Sequence, residues 1–222
     1  MTLLLASNSP RRKQLLALTG MDFETLAPDV DERVQAGEDA ESYVRRIAGR
    51  KARAAVELFP DRATRRRLVI ACDTAVVHQG EIMGKPADPA QAIIMLTRLR
   101  GDVHHVFSAL TVQDVERGIT LQDVCVTDVP MRAYAMEEMI AYVLSGDPMD
   151  KAGAYAIQNP DFQPVEHLSG CYANVMGLPL CHLTRTLRKL DLAPEVDVPA
   201  ACQRALSYDC PVYARILEEA VE

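Results

Sequence analysis

The sequence predicts an α/β fold built on a mixed sheet. Three observations carry that expectation. Strand-like and helix-like patterns interleave along the chain, and Leu68–Cys72 is an unbroken apolar run of the kind buried on both faces of a sheet. Gln79-Gly80 joins two short strand-like stretches as a hairpin, so antiparallel pairs enter the same sheet.

The elements follow in order. Leu3–Ala6 reads as a short buried strand, and a helix follows with Ser9 as N-cap, Pro10 in its first position and Gly20 as its end. Asp29–Glu38 is a polar loop. A long helix is expected over Ala40–Phe59, with Asp39 as N-cap and Pro60 as terminator. Its apolar face is Val44, Ile47, Ala48, Ala55 and Leu58. Leu68–Cys72 forms a strand, and Ala75–His78 and Glu81–Met83 form the hairpin. Asp88-Pro89-Ala90-Gln91 has the form of a capping box, opening a helix that buries Ala92, Met95, Leu96 and Leu99 and stops at Gly101. Strands over Val103–Val112 and Ile119–Met131 precede a helix over Met136–Ser145 that ends at Gly146. The stripe Leu180, Leu183, Leu187 and Leu190 marks a late helix from Pro179. Residues 193–222 read as an extension of the core, opening irregularly and ending in a helix around Val212–Ala220.

Composition bounds the function. At 222 residues the chain is long enough to bury roughly 70% of its unfolded surface, so it needs no metal or disulfide to fold. No run approaches the roughly 18 apolar residues of a membrane span, and MTLLLASNSPRRK lacks a basic stretch ahead of its apolar run, so the cytoplasm is the expected location. The net charge of −7 argues against a general nucleic-acid binder but leaves room for a nucleotide enzyme, in which a few local cations hold phosphates. The six cysteines form no CxxC and have no His at finger spacing, so they read as buried thiols; a Cys nucleophile with His104 or His182 has no local signature behind it.

Four places break the rules of a purely structural chain. Arg11, Arg12 and Lys13 crowd the first turn of a helix, where the dipole favours anions; with Ser7 and Ser9 they make a phosphate site or, equally, a solvated charge cluster. Lys51 points from the middle of an apolar helix face, where it either meets a carboxylate or phosphate or snorkels at the rim. Asp73-Thr74 follows the buried strand directly, at the strand end where ligands gather; a carboxylate there can hold a divalent metal or accept a proton from water, with Glu32 as a second oxygen ligand. Gly84-Lys85-Pro86 and Asp150–Gln158 combine turn chemistry with further polar groups. No Walker loop, GxGxxG, GxSxG or HExxH is present, which removes the common ATPase, dinucleotide, serine-hydrolase and zincin readings.

Together these stretches resemble the Maf family, the septum-formation-inhibitor-like nucleotide pyrophosphatases. The resemblance rests on ASNSPRRKQLL, the Asp29–Glu32 acidic run, RKARA at 50–54, CDTAVVHQGEIMGKPAD at 72–88, DKAGAYAIQ at 150–158 and SGCYANVMGLPL at 169–180. It implies an elongated mixed sheet with flanking helices, two lobes around a central cleft, and residues 1–192 as the nucleotide pyrophosphatase domain. It also implies metal-dependent cleavage of a nucleoside triphosphate to monophosphate and pyrophosphate, with Mg or Mn as cofactor. By resemblance Ser7, Arg11, Arg12, Lys51 and Lys85 hold the triphosphate, while Glu32 and Asp73 organise metal and water, Asp73 as proton acceptor. Arg11, Thr74 and Gln158 match the members acting on dTTP and UTP, although a Gln amide can turn over to suit cytosine. The sequence departs from the family at Cys72, Cys171, Ser108-Ala109 and Ala156, each small for small. The expected partner is the nucleotide, with neither nucleic acid nor membrane, and a second copy of the chain is the candidate protein partner. The competing reading is a nucleotide-binding regulator of cell division that uses the same pocket without turnover.

Overall fold

Alternation along one long strand organises the molecule. The structure, a computed structural model, describes residues 1–58 and 66–219. Among these the elements are β1 (Thr2–Leu5), α1 (Pro10–Ala17), β2 (Glu24–Thr25), α2 (Ala40–Leu58), β3 (Arg67–His78), β4 (Glu81–Met83), α3 (Pro89–Leu99), β5 (Val103–Asp114), β6 (Ile119–Pro130), α4 (Met136–Leu144), α5 (Tyr172–Val175), α6 (Leu180–Arg188), α7 (Val198–Leu206) and α8 (Tyr213–Glu218). The sheet runs β2-β1-β3-β5-β6, with β4 also on β3. β1 is parallel to β2 and β3, whereas β3, β5 and β6 are successively antiparallel and β4 is antiparallel to β3, so the sheet is mixed, as expected.

Even and odd positions of β3 serve different layers. Val69 and Ala71 pack with Ala52 and Ala55, and Ala75 and Val77 with Val44 and Ala48, so α2 covers this face. On the other face Leu68, Ile70 and Cys72 join the cluster of α1 and α6, while Val76 joins that of α3 and α4. Two lobes therefore sit at opposite ends of the long strands. The edge of β3 is also divided: β1 pairs with Arg67–Ile70 and β4 with Val76–His78. Among the described residues, 71–75 have no strand on that edge, and a cleft opens there.

Three expectations are corrected. The strand does not end at Cys72: Asp73 and Thr74 pair with Ala109 and Ser108 in the middle of β3. Two polar residues are tolerated inside a buried strand because each has a partner, Lys51 for Asp73 and Ser108 for Thr74. On α2, Leu58 is exposed and Ala52 takes its place in the buried stripe. The extension holds an unexpected helix, α7, started by Asp197, whose side chain accepts from Ala200 N at 3.0 Å, with a proline in the first turn. β2 was too short to carry any signal. Phe59, the expected last residue of the long helix, its expected terminator Pro60, and Ala220 lie outside the described residues.

Elsewhere local chemistry acts as expected. Ser9 caps α1 through Arg12 N, and Asp88 caps α3 through Gln91 N at 2.8 Å. Gln79 and Gly80 both take positive φ, 49° and 79°, which suits a two-residue hairpin turn. The extension is packed onto the core: Val198 is buried in the cluster that contains Leu187 and Leu190. All six cysteines are free thiols, four of them buried. No helix among the described residues is long and apolar enough to cross a membrane.

Candidate active site

The cleft at the β3 gap has a volume of about 450 Å³, and Ser7, Arg11, Arg12, Glu32, Lys51, Asp73, Thr74, Lys85 and Gln158 all line it. These nine residues are thus brought to one cavity from six separate stretches of chain, whereas Lys13, the third cation of the first turn of α1, does not line it.

Its floor is an ionic triad, two of whose members are buried. Lys51, reaching in from α2, places Nζ 2.7 Å from Asp73 Oδ1 and 2.8 Å from Glu32 Oε1. The side chains of Lys51 and Asp73 are only 12% and 7% exposed, while that of Glu32 is 50% exposed. Burial raises the Asp73 carboxyl above its usual range, and the charges of Lys51 and Arg12 oppose that rise. Glu32 rides on the 26–39 loop, which α2 straps down. Tyr43 Oη donates to Glu32 O (3.0 Å), Arg50 Nη1 to Asp31 O (3.2 Å), and Arg46 to Arg33 O (3.0 Å) and to the Glu38 carboxylate (2.6 Å).

The rim is cationic. The chain leaves β1 at Ala6, whose N–H donates to Ile70 O, and turns at Ser7, whose Oγ accepts from Ser9 N. The turn delivers Arg11 and Arg12 on the first turn of α1. Arg12 donates from Nε to Gly177 O (2.8 Å) and from Nη2 to Thr74 Oγ1 (3.1 Å), neither of them a carboxylate. Arg11 faces Asp150 at 3.8 Å. Lys85 is exposed on the loop after β4, which is clipped by Gly153 N donating to Gly84 O (3.1 Å). Gly153 has φ +68°, and a Cβ there would lie 2.9 Å from Val76, so no other residue fits without displacement. Such a cleft can hold a polyanion along its rim while its floor offers carboxylates to a cation or a water.

The family model described as Maf-like protein matches residues 2–190. This chain belongs to that family. The Maf-like chain is 44% identical over 188 residues to the dTTP/UTP pyrophosphatase of Geotalea uraniireducens, covering 85% of this chain and 94% of that protein. It is 42% identical over 188 residues to the protein of the same name in Photorhabdus laumondii, covering 85% and 93%. With that of Methylococcus capsulatus it shares 44% over 191 residues, covering 86% and 91%. Among solved structures, the Staphylococcus aureus Ham1 protein overlaps 60% of this chain and 73% of its own at 15% identity and a TM-score of 0.43, too distant to carry an argument.

Among the described residues no group of three or more His, Cys, Asp and Glu side chains converges as a self-sufficient metal site. The donor set in the Maf-like cleft still suits a hard cation. Two carboxylates, Glu32 and Asp73, meet at one ammonium, and a hard divalent ion needs only one or two carboxylates when phosphates and water complete its shell. The sequence reading missed the groups that hold this site together. Arg46 and Arg50 lie on a flank of the helix where charge is unremarkable, and Tyr43 carries no signal of its own. Lys151 also lines the cleft, buried and held by Asp147 and Asp150, and the DKAGAYAIQ stretch was its only signal.

Proposed function

We propose that this chain hydrolyses dTTP and UTP to the monophosphate and pyrophosphate, using Mg or Mn. The observation that carries the reading is the Lys51–Asp73–Glu32 triad at the floor of a cleft rimmed by Arg11, Arg12 and Lys85. The names and identity of the relatives support the substrate class.

In this reading Ser7, Arg11, Arg12, Lys51 and Lys85 bind the triphosphate and neutralise its charge, so that attack at the α-phosphorus is not repelled. Glu32 and Asp73 would hold the divalent cation, which supplies charge neutralisation and a more acidic water. Asp73 accepts the proton of the attacking water; its burial, which favours the protonated carboxyl, makes it a stronger base than an exposed aspartate. Thr74 and Gln158 face the nucleoside. The reaction is placed in residues 1–192, with 193–222 as an extension. The free thiols suit the reducing cytoplasm. The partner is the nucleotide, without nucleic acid or membrane; light scattering reads whether the unit is a homodimer.

The test is a panel of canonical and modified nucleoside triphosphates with Mg or Mn, the products separated. Monophosphate and pyrophosphate from dTTP and UTP are expected, and chelation of the metal should abolish turnover. Orthophosphate and a diphosphate as main products would refute the assigned bond. Tight binding without turnover would favour the regulator.

A further inference from the structure

A polar seam divides the two lobes on the sheet face opposite α2. Thr74, Ser108 and Thr127 lie there between the apolar clusters, flanked by Cys72 and Val76, Leu110 and Val106, Cys125 and Val129. Ser108, Thr127 and Asn174 of α5 are at most 2% exposed, whereas Thr74 is partly exposed and lines the cleft.

The seam is one chain of hydrogen bonds. Arg12 Nη2 donates to Thr74 Oγ1 (3.1 Å), Thr74 Oγ1 lies 2.8 Å from Ser108 Oγ, and Ser108 Oγ donates to Asn174 O (3.3 Å). Asn174 is anchored by Nδ2 donating to Val106 O (3.0 Å) and Thr127 Oγ1 (2.9 Å). Donor counting gives one proton order in which all of these contacts are made at once. A guanidinium only donates and a carbonyl only accepts. Ser108 has one proton, which this order gives to Asn174 O, a carbonyl that also accepts from Gly177 N (2.9 Å). The Thr74 proton must therefore go to Ser108, while Thr74 Oγ1 accepts from Arg12. In that order Thr74 keeps a lone pair and no proton for the cleft that it lines.

We propose that Ser108 is a positioning residue that fixes the Thr74 hydroxyl as an acceptor toward the cleft, and that this polarity selects pyrimidines bearing an N3–H. The inference rests on the dTTP/UTP reading and deepens it. Gln158 is exposed and its amide can turn over, so it cannot by itself tell an imide base from cytosine. Thr74 cannot turn over while Ser108 holds its proton. Uracil and thymine offer N3–H to that lone pair; cytosine offers N3 as a second acceptor, which leaves both unpaired.

The experiment measures kcat/KM for UTP and for CTP with Mg in the wild type, Ser108→Ala and Ser108→Thr, with thermal melts of all three. The wild type should favour UTP. Ser108→Ala frees the Thr74 proton to point into the cleft, so the UTP:CTP ratio should fall roughly tenfold, mainly through the KM for CTP. Ser108→Thr keeps the hydroxyl and should restore the ratio. A merely structural Ser108 would lower both substrates together and leave the ratio unmoved, which would overturn the proposal. A wild type without preference, or a folded Ser108→Thr that behaves as Ser108→Ala, would overturn it as well. A wild type that turns over neither UTP nor dTTP would refute the substrate reading itself, before any variant is compared.

Discussion

Replacing Lys51 by Met leaves Asp73, whose side chain is 7% exposed, without the ammonium that lies 2.7 Å away. Breaking one side of a buried pair costs about 3–5 kcal/mol, because the remaining charge is uncompensated. Exchanging both partners for neutral groups removes that penalty. Lys51→Met is therefore expected to lower the urea midpoint strongly, and Lys51→Met with Asp73→Asn should recover most of the loss. Both single variants should lose turnover, by about 10²-fold or more for Asp73→Asn, since the proton acceptor is gone. Additive stability losses in the double variant would mean that the pair is not coupled. Near-normal kcat in Asp73→Asn would move the search for a base to Glu32. The sequence made Lys51 stand out as a cation in an apolar stripe, but its two partners come from a loop and a strand that only the fold brings together.

At the scale of elements, α7 and α8 cover part of the core. Val198 and Ile216 are 1% and 5% exposed, and Arg185 of α6 donates to Ile216 O at 3.2 Å. Among the described residues, none beyond 192 lines the cleft. Removing residues 193–222 uncovers that apolar surface, at about 1.5–3 kcal/mol for each large side chain that loses its burial. The truncated chain is expected to have a lower urea midpoint and an unchanged kcat at a temperature where it stays folded. An unchanged midpoint would show that the extension is not part of the stability unit. Lost turnover in a folded truncation would bring it into the site. α7 escaped notice because its start, Asp197 with the following proline, sits in a stretch whose composition reads as irregular. Its helix is decided by Val198 docking on the α6 lobe.

For the molecule as a whole, two buried histidines set the acid limit. Burial pushes His104 down to about 3 and His182 down to about 4, from an ordinary value of 6.5; His78 and His105 add repulsion at His104, while Asp123 partly offsets the fall at His182. Both stay neutral in the folded protein while the unfolded chain takes up protons below pH 6.5. The unfolded state then binds more protons, so stability falls as the pH drops from 6.5 toward 4, by about 1.4 kcal/mol per pH unit for each histidine. Urea melts at pH 7, 6 and 5 should show this slope, and His182→Gln should roughly halve it. A flat profile in the wild type would mean that both rings are protonated or solvated in the folded state.

The sequence by itself determined the class of the fold, the caps of its main helices, the hairpin turn and the set of residues that meet in the cleft. Those signals are local: a capping oxygen three residues from its amide, a positive-φ pair, a charge in an apolar stripe. Only the tertiary structure decided that Asp73 and Thr74 lie inside a strand rather than beyond it, because strand continuity depends on β5 pairing with both. The cleft likewise exists because β1 stops at Leu5, opposite Ile70, and β4 ends at Met83, opposite Val76, leaving one edge of β3 open between two lobes. Asp73 and Thr74 are adjacent in sequence, yet alternation sends one to Lys51 and the other to Ser108. Those partners are 22 and 34 residues away from them, a separation that no local pattern spans.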